Sequence, residues 1–141
     1  MLITSLNNEH IKELCKLNQK KYRDESDLFL IETKHLVLEA YKEGIVKELI
    51  LEQNEIFPLD VPTTYVTKQI LKKLTNTDNP SNVMAVVEKI KEKDDIGEKI
   101  LILDHIQDPG NLGTIIRSSL AFSVFDIILN LNSVDLYNDK V

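Results

Sequence analysis

Apolar residues recur along the chain at two spacings, one typical of helices and the other of strands. A spacing of three or four positions predicts three amphipathic helices before residue 90, with inward faces formed by Ile11, Leu14, Cys15 and Leu17, by Leu36, Val37, Ala40 and Tyr41, and by Ile70, Leu71 and Leu74. Short apolar runs predict strands at 28–31, 46–51, 65–66 and 83–87. Helix ends are indicated by the possible N-caps Asn7, Asn8, Thr33 and Thr67 and by Gly44.

A charged segment without core residues divides the pattern in two. Residues 91–99 therefore predict a linker between a small α/β domain at 1–90 and a second region at 100–141. In the second region, apolar runs at 100–103 and 125–129 flank a helical pattern at 112–122. This order predicts a βαβ unit with parallel strands covered on both faces by helices. So small a unit cannot bury its own sheet, and we expect further elements to cover it.

Composition and charge limit the kinds of function that the chain can have. The chain has 141 residues, of which 43% are hydrophobic, so it can bury a core. Its 17 basic and 23 acidic residues give a net charge of −6, which argues against a nucleic-acid binder unless basic residues cluster. Basic residues do cluster at 12–23, where Glu13 is the one acidic residue among five basic ones: Lys12, Lys16, Lys20, Lys21 and Arg23. Charge alone nevertheless favours an ordinary solvated helix face there.

Other function classes find no support in the sequence. No apolar run approaches the roughly 18 residues of a membrane span, and the N-terminus has no signal-peptide pattern, so we expect a cytoplasmic protein. Cys15 lies on an apolar helical stripe, which predicts a buried structural thiol. The histidines at 10, 35 and 105 have no metal-ligand spacing, and we expect no metal site.

The turn between the first strand and the helix of the βαβ unit is a candidate ligand site, because such sites lie at the carboxyl ends of parallel strands. Gly110 and Gly113 would let a ligand approach, Asn111 could cap the helix, and free backbone N–H groups there would favour a phosphate. Arg117 follows Gly113 by four positions, so its side chain should lie back over the glycine and reach the turn. By spacing alone, an ordinary surface arginine explains the pattern equally well.

Residues 101–122, LILDHIQDPGNLGTIIRSSLAF, resemble the first motif of the SpoU (TrmH-like) family of RNA 2′-O-ribose methyltransferases, a branch of the SPOUT superfamily. The resemblance continues upstream, where segments 3–6, 21–23, 29–32 and 77–87 are similar to that family's N-terminal substrate-binding domain. Thr33 and Ser123 stand where the family often has glycine. The motif residues that match are Leu103, Asp104, Asp108, Pro109, Asn111, Gly113 and Arg117.

The resemblance implies a fold and a chemistry. The expected fold is a small α/β sandwich, similar to ribosomal RNA-binding proteins, followed by the first βαβ unit of a knotted, Rossmann-like SPOUT domain. The family's second and third motifs, which form the knot and most of the S-adenosylmethionine pocket, are expected beyond residue 141, and residues 135–138 resemble the approach to the second. The chain is therefore expected to be an N-terminal part that holds no cofactor-binding residue and is inactive alone.

The resemblance also implies roles for individual residues. The arginine that matches Arg117 activates the ribose 2′-hydroxyl in the family, and the asparagine that matches Asn111 shapes that site. RNA, either tRNA or rRNA, is the expected partner, and the full-length protein is expected to be a homodimer. The basic cluster is then expected to bind the RNA backbone through Lys20, Lys21 and Arg23. Gly113 is a further predicted RNA contact.

Two further functions compete with the methyltransferase. One is an RNA-binding module from a truncated gene product that has no catalytic activity. The other is a regulatory domain that binds a nucleotide at the Gly-x-x-Gly turn, which the match at Arg117 disfavours. The sequence beyond residue 141 distinguishes the first of these from the enzyme.

Overall fold

A computed structural model describes residues 1–75 and 77–141, which divide into two units, Met1–Ile90 and Lys91–Val141. Residues 91–99 are all exposed and form neither helix nor strand. Unit 1 contains β1 (Leu2–Ile3), α1 (Glu9–Lys16), α2 (Lys20–Ser26), β2 (Leu28–Glu32), α3 (Lys34–Lys42), β3 (Val46–Glu52), β4 (Thr63–Val66), α4 (Lys68–Thr75) and β5 (Val83–Glu88). Unit 2 contains β6 (Ile100–Leu103), α5 (Pro109–Ala121) and β7 (Asp126–Leu129).

The strands of unit 1 form one mixed sheet in the order β1-β4-β3-β5-β2. Strands β1, β4 and β3 are parallel neighbours, whereas β5 is antiparallel to both β3 and β2. Every residue from Val83 to Val87 is buried, because side chains alternate between the two faces of a strand and both faces of β5 are covered. The α/β class predicted from the sequence is confirmed.

Two apolar clusters cover the two faces of this sheet. On one face, residues of α1 and α4 pack against the strands, with the buried members Ile3, Ile11, Leu14, Leu17, Ile50, Val66, Ile70, Leu71, Leu74, Met84 and Val86. On the other face, α3 and the segment 57–61 pack against β3 and β5, with the buried members Ile31, Val37, Ala40, Val46, Leu49, Leu51, Val83, Ala85 and Val87. The predicted inward positions of the three helices therefore contribute to the core, except Leu36, which was predicted to face inward and is 47% exposed.

In unit 1 the predicted helix-end signals are confirmed at Asn8, Thr33 and Gly44, whereas Thr67 makes no side-chain cap. The side chain of Asn8 accepts hydrogen bonds from the first turn of α1, and Thr33 Oγ1 accepts one from Leu36 N at 3.4 Å. Gly44 follows α3 at φ 70°, the left-handed conformation that ends many helices. Thr67 precedes α4, but its buried hydroxyl has no hydrogen-bond partner within residues 1–75 and 77–141. Thr67 therefore contributes only its backbone oxygen, which accepts hydrogen bonds from Ile70 N and Leu71 N.

Helix α2 was not predicted, because it has no apolar stripe. Its sequence is KKYRDES, and its only buried residue is Arg23. It begins after Gln19, whose side chain makes no cap, and ends at Asp27, which has φ 54°. The apolar pattern therefore does not predict this helix of two turns.

Unit 2 has the predicted βαβ order with parallel strands, and Ile100 to Leu103 pair in register with Asp126 to Leu129. Burial alternates along β6, where Leu103 is buried while Ile100 and Ile102 are exposed. On the exposed face Ile102 pairs with Ile128, and these residues are 70% and 43% exposed. The unit thus buries one face of its two-stranded sheet, and the expected cover on the other face does not come from its own residues.

Candidate functional site

Helix α5 is capped by Asp108, three residues before the predicted cap. Asp108 Oδ1 accepts a hydrogen bond from Asn111 N at 2.7 Å, and Pro109 fills the first helical position, where no N–H is needed. The prediction that Asn111 caps the helix is therefore wrong. Because a carboxylate already lies at these N–H groups, the predicted phosphate site at the helix start is disfavoured too. The Asn111 side chain is exposed and has no hydrogen-bond partner in the described part of the chain.

Arg117 lies back over Gly113, as the spacing of four residues predicts. A Cβ atom at position 113 would come within 3.2 Å of Arg117 Nη1. Arg117 Nη2 donates to Thr114 Oγ1 at 3.2 Å, and that hydroxyl donates to Gly110 O at 2.9 Å. The guanidinium group is therefore held against the first turns of α5 while its residue remains exposed.

Gly113 itself is buried, which revises its predicted contact with RNA. The backbone oxygen of Val141 lies too close to Gly113 for a Cβ atom to fit there. A side chain at 113 would meet this oxygen on one side and the arginine on the other. The glycine therefore serves close packing within unit 2, and the exposed residue that lies against it is Arg117.

The carboxyl ends of β6 and β7 carry a polar cluster that the sequence analysis missed. Asn130 Nδ2 donates to Asp104 Oδ1, and Asn130 Oδ1 accepts from His105 N at 3.2 Å. Ser133 Oγ donates to Asn130 Oδ1 at 2.6 Å and accepts from Ile106 N at 3.1 Å. These bonds fix the loop after β6, where His105 has φ 57°. The signal was available, because polar residues after parallel strands meet at one edge of the sheet.

Arg23, a predicted RNA contact, points into unit 1. It is only 6% exposed, and its Nη1 donates to Leu17 O at 2.9 Å across the turn between α1 and α2. A buried guanidinium that satisfies a backbone carbonyl contributes to the fold. The structure therefore removes Arg23 from the surface that could meet a phosphate.

The lysines of the basic cluster are exposed or half-buried, but each forms an ion pair with a nearby acid. Within α1 and α2 the pairs are Lys12–Glu9, Lys16–Glu13, Lys20–Asp24 and Lys21–Glu25, the last at 3.9 Å. Over residues 9–27 the chain has five basic and five acidic side chains, so the net charge of this segment is zero. The window 12–23 appeared basic only because it excluded most of the acids.

Asp24 pairs with two lysines, one of them in the basic cluster. Hydrogen bonds from Lys20 and from Lys89 lower the pKa of Asp24 from 3.8 to about 2. The two N–O distances are 2.5 Å and 2.7 Å. Lys20 can grip RNA only by exchanging this partner for a phosphate.

Glu48 is a half-buried acid that the sequence analysis also missed. Its carboxylate contacts His10 Nε2 at 2.9 Å and accepts a hydrogen bond from Thr64 Oγ1 at 2.6 Å. Glu48 also lies in a cleft of about 500 Å³ whose lining includes Tyr22 and Lys16. Its contacts join α1 to β3 and β4, which gives the carboxylate a role in the fold.

The remaining sequence predictions concern metals, membranes and Cys15. Burial raises the pKa of the Cys15 thiol, whose side chain packs against the cluster under α1 and α4. In residues 1–75 and 77–141 no group of three or more His, Cys, Asp or Glu side chains could hold a metal ion. None of the helices described is long and apolar enough to cross a membrane.

Known protein families match both units. Residues 8–85 match the MRM3-like substrate binding domain, and residues 98–141 match the SpoU rRNA methylase family. The 23S rRNA (guanosine(2553)-2′-O)-methyltransferase RlmP of Bacillus subtilis is 36% identical over 143 aligned positions, which cover 98% of this chain and 58% of RlmP. Human mitochondrial rRNA methyltransferase 3 is 26% identical, with 89% of this chain and 34% of the relative covered.

Solved structures of similar proteins show the same fold. The crystal structure of an rRNA methyltransferase from Sinorhizobium meliloti superposes with a TM-score of 0.85 at 30% identity, over 99% of this chain and 58% of that one. The structure of an AdoMet-bound rRNA methyltransferase from the same organism gives a TM-score of 0.84, also at 30% identity over the same shares of the two chains. The chain thus spans little more than half the length of these relatives.

Proposed function

Because the chain belongs to the SpoU rRNA methylase family, we propose that its protein transfers a methyl group from S-adenosylmethionine to a ribose 2′-hydroxyl of rRNA or tRNA. Unit 1 binds the RNA in this proposal, and unit 2 supplies the first catalytic motif. The observation that carries the proposal is the position of Arg117 over Gly113, within a segment that matches the SpoU family. The 2′-O activity named for RlmP supports the choice of the ribose oxygen.

Arg117 stabilises negative charge on the reacting oxygen. In the transfer, the 2′-oxygen bonds to the methyl carbon, the bond from that carbon to sulfur breaks, and the 2′-hydroxyl loses its proton. Arginine does not give up its own proton in proteins, so Arg117 cannot be the base. Its N–H groups instead bind the ribose–phosphate backbone and the developing oxyanion, and an RNA phosphate or a water molecule takes the proton.

Two contacts prepare Arg117 for this role. Thr114 Oγ1 holds Nη2, and the bare Gly113 lets the side chain lie along α5. A guanidinium group has five N–H donors, so this single hydrogen bond leaves others to reach the substrate. Asn111, exposed six residues before Arg117, presents an amide that can orient the ribose.

S-adenosylmethionine supplies a methyl group on a positively charged sulfur when it is bound. The residues at the carboxyl ends of β6 and β7 do not enclose a molecule of this size, because Asp104, His105 and Asn111 are exposed. We therefore assign no residue of this chain to the cofactor and propose that the 141-residue chain is inactive alone. Homodimer formation and cytoplasmic location stay predictions.

Within the basic cluster, contact with the RNA backbone is proposed for Lys20 and Lys21. Both lysines are exposed on α2, and exposed ion pairs are weak enough for a phosphate to replace the acid. Arg23 is left out because it is buried.

A chimera of residues 1–141 with the remaining C-terminal part of RlmP tests the enzyme directly. We expect transfer of tritium from methyl-labelled S-adenosylmethionine to RNA, at a ribose that then resists alkaline cleavage because its 2′-hydroxyl is blocked. The chimera with Arg117→Ala is the control and should bind RNA without methylating it. RNA binding by residues 1–141 with no methyl transfer by the chimera would favour the alternative, a non-catalytic RNA-binding module.

A further inference from the structure

Helix α4 carries a positive face that the family match does not assign. Its buried residues are Ile70, Leu71, Leu74 and Thr75, so its outward positions are Lys68, Gln69, Lys72 and Lys73. No acidic residue occurs from position 61 to position 77, although the chain as a whole has a net charge of −6. This segment therefore has a charge of +3, or +1 when the flanking Asp60 and Asp78 are counted, where residues 9–27 have none.

The lysines of this face differ from those of α1 and α2 in their partners. Lys68 and Lys72 form no ion pair or hydrogen bond with any side chain in residues 1–75 and 77–141. Lys73 Nζ donates to the backbone oxygen of Leu6 at 2.9 Å, which leaves its charge uncompensated. Every lysine that α1 and α2 contribute has a carboxylate within 4 Å.

Helix stability does not explain the arrangement. Lysines in a last turn, such as Lys72 and Lys73, interact favourably with the negative end of the helix dipole. Lys68 lies in the first turn, where the dipole repels a positive charge, and no acid accompanies it there. Lys68 and Lys72 are also four residues apart, so they repel each other on the same side of the helix. Such a set of charges fits an anion from outside the chain.

We infer that the outward face of α4, formed by Lys68, Lys72 and Lys73, is the main contact of unit 1 with the RNA phosphate backbone. The inference rests on the proposed function, since RNA is the polyanion which that function requires. A phosphate meets these lysines without displacing a carboxylate, whereas on α1 and α2 it must compete with one. Backbone contacts of this kind hold RNA of any sequence in place and leave the choice of nucleotide to other residues.

The experiment measures binding of the full 141-residue chain to a fluorescein-labelled RNA stem-loop of mixed sequence at several salt concentrations. The test variant is Lys68→Gln with Lys72→Gln, and the matched control is Lys12→Gln with Lys16→Gln, which changes the net charge equally. We expect the α4 variant to lose affinity about tenfold at low salt and its salt dependence to flatten by about 1.5 in log–log slope, because two phosphate contacts disappear. The α1 control should lose less than about threefold.

Two results would overturn the inference, and they differ in what else they affect. If the unsubstituted chain binds the stem-loop and both variants lose affinity equally, the α4 assignment fails while RNA binding by unit 1 stands. If the unsubstituted chain does not bind, the RNA-binding part of the proposed function fails together with it. Lys68→Ala with Lys72→Ala, a second form of the test variant, and matching thermal melts show that a loss of binding is not a loss of fold.

Discussion

Arg117 Nη1 lies within 3.2 Å of the place where a Cβ atom of Gly113 would be, so the arginine occupies space that only glycine leaves open. The two residues share one side of α5, four positions apart. The side chain leans toward the start of the helix, as helical side chains do. Its charge is thereby brought back along the first turns of α5, where Nη2 donates to Thr114 Oγ1.

Replacing Arg117 should separate catalysis from RNA binding. In the chimera with the RlmP remainder, we expect Arg117→Ala to lower turnover by about a hundredfold or more, since a donor to charge that develops during transfer is lost. RNA affinity should stay within about twofold. Arg117→Lys keeps the charge but not the forked donor, and should recover only part of the rate. Single-turnover rates at saturating RNA test this, and a loss confined to affinity would make Arg117 a phosphate anchor.

Removing the acid that holds Lys20 should strengthen RNA binding. The pKa of Asp24 is lowered to about 2, so its carboxylate is ionised from pH 4 upward, and the pair is lost only as the pH falls toward 2. Asp24→Asn removes the carboxylate that pairs with Lys20 at neutral pH, and we expect RNA affinity to rise about fivefold with a steeper salt dependence. Glu39→Gln on α3 makes the same change in net charge. An equal rise in both variants would mean that only total charge matters.

Glycine should stabilise the chain at position 33. Thr33 has φ 85° and ψ 140°, a conformation that a β-branched residue adopts only with strain. We expect Thr33→Gly to raise the free energy of unfolding by about 1 kcal/mol, because relief of strain exceeds the loss of a weak cap. Thr33→Ala keeps the Cβ atom and loses the cap, so it should destabilise by about 0.5–1 kcal/mol. Denaturant melts of both variants test this, and stabilisation by alanine would contradict the strain.

Hydrogen exchange should be slower in unit 1 than in unit 2. Strand β5 is paired on both sides and buried on both faces, whereas β6 has one partner strand and an exposed face. We expect the amides of Val83–Val87 to exchange at least about a hundredfold more slowly than those of Ile100–Leu103. Mass spectrometry after proteolysis resolves the two strands. Equal protection would show that β6 is covered in solution.

The apolar pattern predicted most of the fold, because buried strands and amphipathic helices leave a direct trace in the sequence. Strand β5 is an uninterrupted apolar run since both of its faces are covered. Helix α2 leaves no such trace, since its buried residue is Arg23, which is held by Leu17 O. Strand β1 has only two residues and depends on its pairing with β4.

The position of Arg117 was predicted correctly because residue spacing determines which side chains share a helix face. The N-cap of α5 was predicted wrongly because two residues could have capped the helix. Arg117 over Gly113 follows from a spacing of four. Asp108 and Asn111 are both good N-caps, and only the structure shows that the helix starts before Asn111. Thr33 and Ser123, which stand where the resembled family often has glycine, both have positive φ, a conformation that glycine adopts without strain.

The exposed pair Ile102 and Ile128 has a consequence for how the isolated chain behaves in solution. Two neighbouring isoleucines on an open sheet face gain free energy by leaving water, and a second molecule offers the same surface. Association of this kind depends on protein concentration, whereas burial of the core of unit 1 takes place within one molecule and does not. Dilute samples should therefore sediment as monomers, and concentrated samples should show a rising weight-average mass that Ile102→Lys abolishes.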